Sequence, residues 1–190
     1  VATERGLASY DTQSNDWIGD FPLDAAATSR LTDIQLVEGT PILLGTDREI
    51  RRLPLPETKW ESLLGGGKFE AAEADISAVT RDPAGRLWIG TKSQGLFIYD
   101  SIRHRWEPRL TFSKPIEALQ ASTGMVWLLS QGAVFTIAAD RVIQPLSSKL
   151  PEVISIAAAP HAPAAVLRCR TGHVYLASDQ RQLRTLVGDA

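Results

Sequence analysis

The sequence predicts an all-β chain built from repeated four-stranded antiparallel units. Three observations carry this: four short apolar runs, separated by turn residues, fill residues 76–108; their landmarks return along nearly the whole chain; and the returns are evenly spaced. The opening residues of successive repeats, Leu31, Ile76, Ile116 and Val153, lie 45, 40 and 37 residues apart, the spacing of β-propeller blades.

The clearest repeat reads ISAVTRDPAGRLWIGTKSQGLFIYDSIRHRWEP. Its first strand opens at Ile76 and runs to Val79. In Asp82-Pro83-Ala84-Gly85, Pro presets φ at the second turn position and Gly closes the fourth. The second strand, Leu87 to Gly90, carries residues suited to a pleated, buried surface. The loop Thr91 to Gly95 turns back into the third strand, with Gly95 free to take a positive φ. Leu96 to Tyr99 form that third strand, and Trp106 marks an outer fourth strand.

The other repeats align on these landmarks. In the repeat opened by Leu31, Ile34 and Leu36, the turn is Glu38-Gly39-Thr40-Pro41, the second strand Ile42 to Gly45, and the fourth strand bears Trp60. The repeat opened by Ile116 has Ser122-Thr123-Gly124 as turn, Val126 to Leu129 as second strand and Gln131-Gly132 in its hairpin. In the last, Val153 to Ile156 are followed by Pro160-His161-Ala162-Pro163, Ala165 to Leu167 and Thr171-Gly172. Residues 1–11 align with residues 90–100, and Trp17 follows Tyr10 by seven residues as Trp106 follows Tyr99. The expected division is therefore a partial blade over 1–30 and whole blades over 31–75, 76–115, 116–152 and 153–190, about four and a half blades of a larger, seven-bladed type of propeller. An open arc would expose sheet faces and edges, so the remaining blades are expected from a parent chain or another subunit.

Composition excludes some partners. With 20 basic and 22 acidic residues the net charge is −2, which gives no field attracting nucleic acid or anionic lipid. Hydrophobic residues make up 44% of the 190, and a unit of this size buries roughly 70% of its unfolded surface. The longest weakly polar stretch, Val153 to Leu167, is broken by Pro160, His161 and Pro163 and is too short to span a membrane, so no direct membrane insertion is expected. The single Cys169 admits no internal disulfide, and its flanking Arg168 and Arg170 point to the opposite face of a strand, leaving the thiol as core filling.

Chemistry-bearing patterns are sparse. His104, His161 and His173 have no metal-ligand spacing with each other or with Cys169, so no metal site and no cofactor is expected. Gly65-Gly66-Gly67-Lys68 lacks phosphate-loop spacing, with Phe69 in place of the required Ser or Thr; residues 65–75 read as an interblade link, either a functional loop or a tolerated insertion. Arg103-His104-Arg105 reads as a solvated hairpin or a local anion contact. Asp11, Asp100 and Asp179 recur at third-strand ends, the position of a turn cap. Trp88 and Trp127 read as packing between blades, and Trp17, Trp60 and Trp106 as outer-strand residues. No catalytic residue is assigned.

In a propeller the loops from second to third strands, and those joining blades, gather on one face around the channel. That places Arg5, Arg48, Lys92, Gln94, Gln131 and His173, with Glu4 and Asp47, as candidate binding residues at a channel mouth. A ring of mixed charge and amides suits a carbohydrate, a peptide or a protein partner better than a polyanion.

The Ile-led strand, Asp82-x-x-Gly85, Leu87-Trp88-Ile89-Gly90-Thr91 and Gly95-Leu96-x-x-Tyr99-Asp100 resemble the two-component regulator propeller repeat of bacterial sensory proteins. The resemblance is strong over 76–108, fair over 1–17 and a periodic echo elsewhere: Glu49-Ile50 replace Gly-Leu, Leu43-Leu44 replace the Trp-Ile pair, and Val166-Leu167 stand there in the last repeat. It implies a non-enzymatic, extracytoplasmic (periplasmic) sensor or binding module that accompanies a signalling output domain. Two alternatives stand beside it. Leu53-Pro54-Leu55-Pro56 faintly resembles the outer strands of propeller lyases of the streptogramin type, although no His acid-base pair or carboxylate cluster for magnesium is visible. The third reading is a scaffold whose rim docks another subunit.

Overall fold

The computed structural model describes residues 2–3, 6–11, 16–22, 31–37, 40–45, 50–52, 61–62, 76–159 and 161–188. The chain forms two compact units, Val1–Glu73 and Ala74–Ala190.

In the first unit, β1 (Ala2–Thr3), β2 (Gly6–Asp11) and β3 (Asp16–Pro22) form a three-stranded sheet, and β4 (Leu31–Val37), β5 (Thr40–Gly45), β6 (Ile50–Arg52) and β7 (Glu61–Ser62) a four-stranded one. The backbone register pairs Tyr10 with Trp17, the same pairing that joins Tyr99 to Trp106 in the second unit, as the common spacing required. The second strand of this repeat starts earlier than expected, because Thr40 and Pro41 already pair with Val37 and Leu36. Trp60 and the 65–75 link lie outside the described residues.

The second unit holds three four-stranded antiparallel meanders. They are β8 (Ile76–Arg81), β9 (Arg86–Thr91), β10 (Leu96–Asp100) and β11 (Arg105–Trp106); β12 (Ala118–Ser122), β13 (Met125–Ser130), β14 (Ala133–Ile137) and β15 (Ile143–Pro145); and β16 (Val153–Ala158), β17 (Ala164–Cys169), β18 (Val174–Ser178) and β19 (Leu183–Val187). Among the described residues there is no helix. The first strands β8, β12 and β16 lie side by side, as blades ranged about an axis require. Near the opening of β4, β8 and β16 the register slips by one residue, at Leu31/Asp33, Ile76/Ala78 and Val153/Ser155. A bulge repeated at one place adds local twist where each first strand enters its sheet.

The core lies between sheets, not within any one of them. Ala78, Trp88, Leu96 and Ile98 meet Ile116, Leu119, Val126 and Leu128 of the following sheet. From that sheet's other side Met125, Trp127, Leu129 and Val134 meet Val153, Ile156, Ala165, Leu167 and Cys169. A central strand flanked by sheets on both faces needs apolar residues on both, which is why β13 reads Met-Val-Trp-Leu-Leu-Ser without alternation and is buried throughout. Trp88 and Trp127 are 2% and 0% exposed, so both are packing residues. Cys169 is buried, its thiol close to the Pro151 carbonyl, and desolvation pushes its pKa up; the neighbouring arginines are exposed on the other side of the strand.

Turn chemistry follows the sequence. The Gly85 N–H donates to the Asp82 carbonyl at 2.9 Å with Gly85 at φ +82°, and Gly95 takes φ +85° in the β9–β10 loop. That loop is braced by the Thr91 hydroxyl, which donates to the Gly95 carbonyl (2.7 Å) and accepts from the Gln94 N–H (2.9 Å). In the next sheet the loop shrinks to Gln131-Gly132, so the matching Ser130 hydroxyl is buried without a partner among the described residues. Ile116 precedes β12 instead of opening it. Its N–H donates to the Thr91 carbonyl of the preceding sheet at 3.1 Å, and that cross-sheet bond takes the place of a ladder pairing.

Two glycines separate backbone strain from crowding. A Cβ on Gly95 would sit 2.6 Å from the Leu110 carbonyl oxygen, whereas one on Gly124, at φ +73°, meets nothing within 4 Å. Gly124→Ala is expected to cost about 1 to 2 kcal/mol from the left-handed backbone alone, and Gly95→Ala clearly more; equal losses in urea unfolding would show that the Leu110 contact yields freely.

Candidate functional site

Strand direction alternates in each meander, so its 2–3 hairpin leaves one edge of the sheet and its 1–2 and 3–4 turns leave the other. The hairpin edge carries four of the candidate residues, Lys92, Gln94, Gln131 and His173. Arg5 and Arg48, with Glu4 and Asp47, lie outside the described residues.

The hairpin edge is stitched from sheet to sheet. Besides Ile116 N–H to Thr91, the Val153 N–H donates to the Gly132 carbonyl at 2.9 Å, while within the last sheet the Arg170 N–H extends the β16–β17 ladder by donating to the Glu152 carbonyl at 2.8 Å. Ser77, the bulged residue of β8, donates its hydroxyl to the Ile116 carbonyl at 2.5 Å. Lys92 is exposed and Gln94 half-buried. Gln131 holds φ +50°, and its backbone N–H, not its side chain, is the group engaged, donating to Glu117 Oε1 at 3.0 Å. Glu152 pairs with Arg170 through two bonds of 2.7 and 2.8 Å. These bonds to Arg170, with its charge, hold the Glu152 carboxyl below its ordinary pKa.

His173 stands in the β17–β18 hairpin. It pairs its Nδ1 with the Thr171 hydroxyl at 2.8 Å, stacks on Tyr175 with centroids 6.2 Å apart, and lies against Gly188 just beyond the fourth strand. Val174, the next residue, pairs with Val187 of β19.

The opposite edge holds a feature that the sequence did not reveal. A cleft of about 190 Å³ opens between two consecutive sheets, lined by the Asp82–Arg86 turn, Trp88, the Ser122–Val126 turn and the Ile137–Ala139 end of β14. Each second-strand tryptophan anchors its indole here. Trp88 Nε1 donates to Asp82 Oδ2 at 2.9 Å, and Trp127 Nε1 donates to the Ser122 hydroxyl at 3.0 Å. Asp82 also accepts from the Arg86 N–H (3.0 Å) and from Arg86 Nε (2.7 Å), and that guanidinium lies over the Trp88 ring at 5.4 Å. The available signal was the Asp82…Arg86…Trp88 spacing, which reads only as a turn followed by a strand until the indole is seen to reach back. Ala138, Ala139 and Gly124 carry no chemical signature at all.

On the same edge the third strand ends at Asp100, 4% exposed, which accepts from the Ile102 and Arg103 N–H groups at 3.0 and 2.9 Å and from Arg103 Nη1 at 3.0 Å. This is the expected turn cap. Asp179 makes only an exposed bond to the Gln180 N–H, and the side chain of Asp11 lies outside the described set. The Ser101 hydroxyl ties this turn to the Gly85 carbonyl. In the same turn His104 is exposed at φ +51°. No cluster of three or more His, Cys, Asp or Glu that could hold a metal occurs among the described residues.

No protein-family model matches the chain, and no curated protein matches it. Solved structures do. A streptogramin B lyase superposes with a TM-score of 0.70 at 10% identity, over 100% of this chain and 64% of that one. The extracellular domain of the putative hybrid two-component system BT3049 from B. thetaiotaomicron gives 0.65 at 16%, over 97% of this chain and 26% of that one. The computationally designed Ika8 protein gives 0.64 at 14%, over 99% and 58%. The chain thus spans less than two thirds of each of these proteins. At such identities the likeness establishes the fold: the chain is built of β-propeller blades.

Asp100 gives a pH prediction. The Arg103 N–H above all, then the Ile102 N–H and the Arg103 guanidinium, outweigh partial desolvation and hold its carboxyl below the ordinary range. A depressed folded-state pKa contributes stability above the unfolded value, near about 4, which is lost as pH falls through the folded value. Melting followed from pH 7 to pH 2 should show Asp100→Asn destabilised at neutral pH, with the gap to the parent protein closing below about pH 4; a gap that stays constant would mean the charge has no part in the cap.

Proposed function

We propose that this chain is a non-enzymatic binding module of an extracytoplasmic bacterial signalling protein, holding a carbohydrate, a peptide or a partner protein at the hairpin edge of its blades. Arg5, Arg48, Lys92, Gln94, Gln131 and His173 are the contact residues in this reading, and the blades complete a larger ring with those of a parent chain or another subunit.

The observation that carries the reading is how the carboxylates are used. Asp82 and Asp100 each accept three hydrogen bonds, Glu152 is held on Arg170, Glu117 caps Gln131, and Glu107 is charge-paired with Arg141 at 2.7 Å, although its Oε2 accepts no hydrogen bond of good geometry. A general acid or base must keep a free position facing its substrate and a pKa near the working pH. Asp82 and Asp100, each engaged by three hydrogen bonds, serve as fixed struts, and Glu152 is held by its two bonds to Arg170. The exposed Lys92 and Gln131 side chains stand on hairpins whose backbones are locked between sheets, the arrangement of contact residues on a rigid scaffold. The likeness to an extracellular two-component domain supports a place outside the cytoplasm, and among the described residues no helix is long and apolar enough to cross a membrane.

Thermal melting against panels of short peptides and oligosaccharides, with and without magnesium, followed by mass analysis of each compound that shifts the transition, tests this reading. A true ligand at 100 times its Kd should add about 2.7 kcal/mol of stability and be recovered intact. Magnesium-dependent conversion of the compound into product would overturn the reading in favour of a lyase.

A further inference from the structure

We propose that the cleft between the β8–β11 and β12–β15 sheets is a second binding site, for a small aliphatic group that ends in a carboxylate. It lies at the edge opposite the hairpins and does not depend on them.

The cleft's walls are mostly apolar, with Met125, Val126, Ile137, Ala138 and Ala139 among the lining residues. The cationic group at its wall is Arg86, whose side chain is 29% exposed. Asp82 holds the guanidinium by its Nε, and its Cζ lies over the Trp88 ring at 5.4 Å from the centroid. Both Arg86 Nη atoms therefore remain as donors without a hydrogen-bond acceptor among the described residues. A planar guanidinium held by its Nε and lying over an indole face is a preorganised receiver for a carboxylate. Asp82 does not compete for that role from the cleft, because both its oxygens are occupied from within its own sheet.

Size narrows the class. A volume of about 190 Å³ corresponds to roughly six water molecules and falls below the range of about 300 Å³ and upward typical of drug-sized sites. One aliphatic side chain fits, and a sugar ring would leave its hydroxyls facing Met125 and Ile137 without partners. A free short branched acid and the C-terminal residue of a peptide share this chemistry.

The test uses the full chain labelled with ¹⁵N and follows the Trp88 indole N–H and the Ala138 and Ala139 amides while 4-methylpentanoate, N-acetyl-leucine or N-acetyl-leucinamide is added. Saturable shifts confined to these groups are expected for the two acids, with a Kd of about 1 mM or tighter, and at least tenfold weaker binding for the amide. N-acetyl-leucine binding more tightly than 4-methylpentanoate would identify a chain terminus as the natural occupant, and equal affinities a free acid. Ala139→Phe, which fills the exposed side of the cleft, should abolish the shifts, and Arg86→Gln should bring the acid to the affinity of the amide. Absence of saturable binding, equal affinity for acid and amide, or shifts away from the cleft would overturn the proposal. Each of those results leaves the hairpin-edge reading intact, since that reading stands on ligands found by melting and on other residues.

Discussion

The fold depends on one arrangement repeated from sheet to sheet: a second-strand tryptophan wedged into the following sheet while its indole N–H is tied back to the first turn of its own. Trp88 is held by Asp82 and packs on Ile116, Leu119 and Val126; Trp127 is held by Ser122 and packs on Val153, Ile156 and Leu167. Sheets that meet only face to face have no ladder hydrogen bonds between them, so their cohesion comes from apolar area. Burying a tryptophan contributes roughly 4 to 6 kcal/mol of transfer free energy before entropy is counted. Leaving the indole N–H without an acceptor would give back about 1 to 3 kcal/mol, so the anchor and the wedge are one device.

The two edges of the sheets follow from that packing. At the hairpin edge the close approach of consecutive sheets lets backbone groups bond across the gap, from Ile116 to Thr91 and from Val153 to Gly132. Gly90 marks how close that approach is, since a Cβ there would stand 2.5 Å from the Ile116 side chain. At the opposite edge the indole anchors hold the first turns back against their own sheets, and the space left between the Asp82 and Ser122 turns becomes the cleft. A rigid stitched edge and a recessed cleft are thus two products of one wedge. In the last sheet Val166 stands where the tryptophans stand in the two before it, and it is 37% exposed.

Much of this could be read in the sequence. The repeat landmarks placed the first and second strands of each sheet in the second unit, and the later strands of the clearest repeat, to within a residue or two; the glycine at position 95 sits at the positive φ its loop demanded, and Trp88 and Trp127 were legible as packing residues from their place in apolar runs. Strand beginnings were less legible: Ile116 looks like a strand residue by hydrophobicity but spends its N–H on the neighbouring sheet, a bond that no local pattern announces. The partners of His173, the Thr171 hydroxyl and the Tyr175 ring, are side-chain contacts that topology does not announce. The cleft was not legible because its walls come from turns some forty residues apart, and several of its residues are alanine or glycine.

The most direct test of the account is a double-mutant cycle in urea with Ser122→Ala, Trp127→Phe and the pair combined. Phenylalanine fills part of the wedge but has no N–H to satisfy. If the indole anchor holds the wedge in place, Ser122→Ala costs about 1 to 3 kcal/mol in the parent protein and little in the Trp127→Phe background. An equal cost in both backgrounds would mean that the serine stabilises its turn alone, and that the sheets are joined by apolar contact without the anchor.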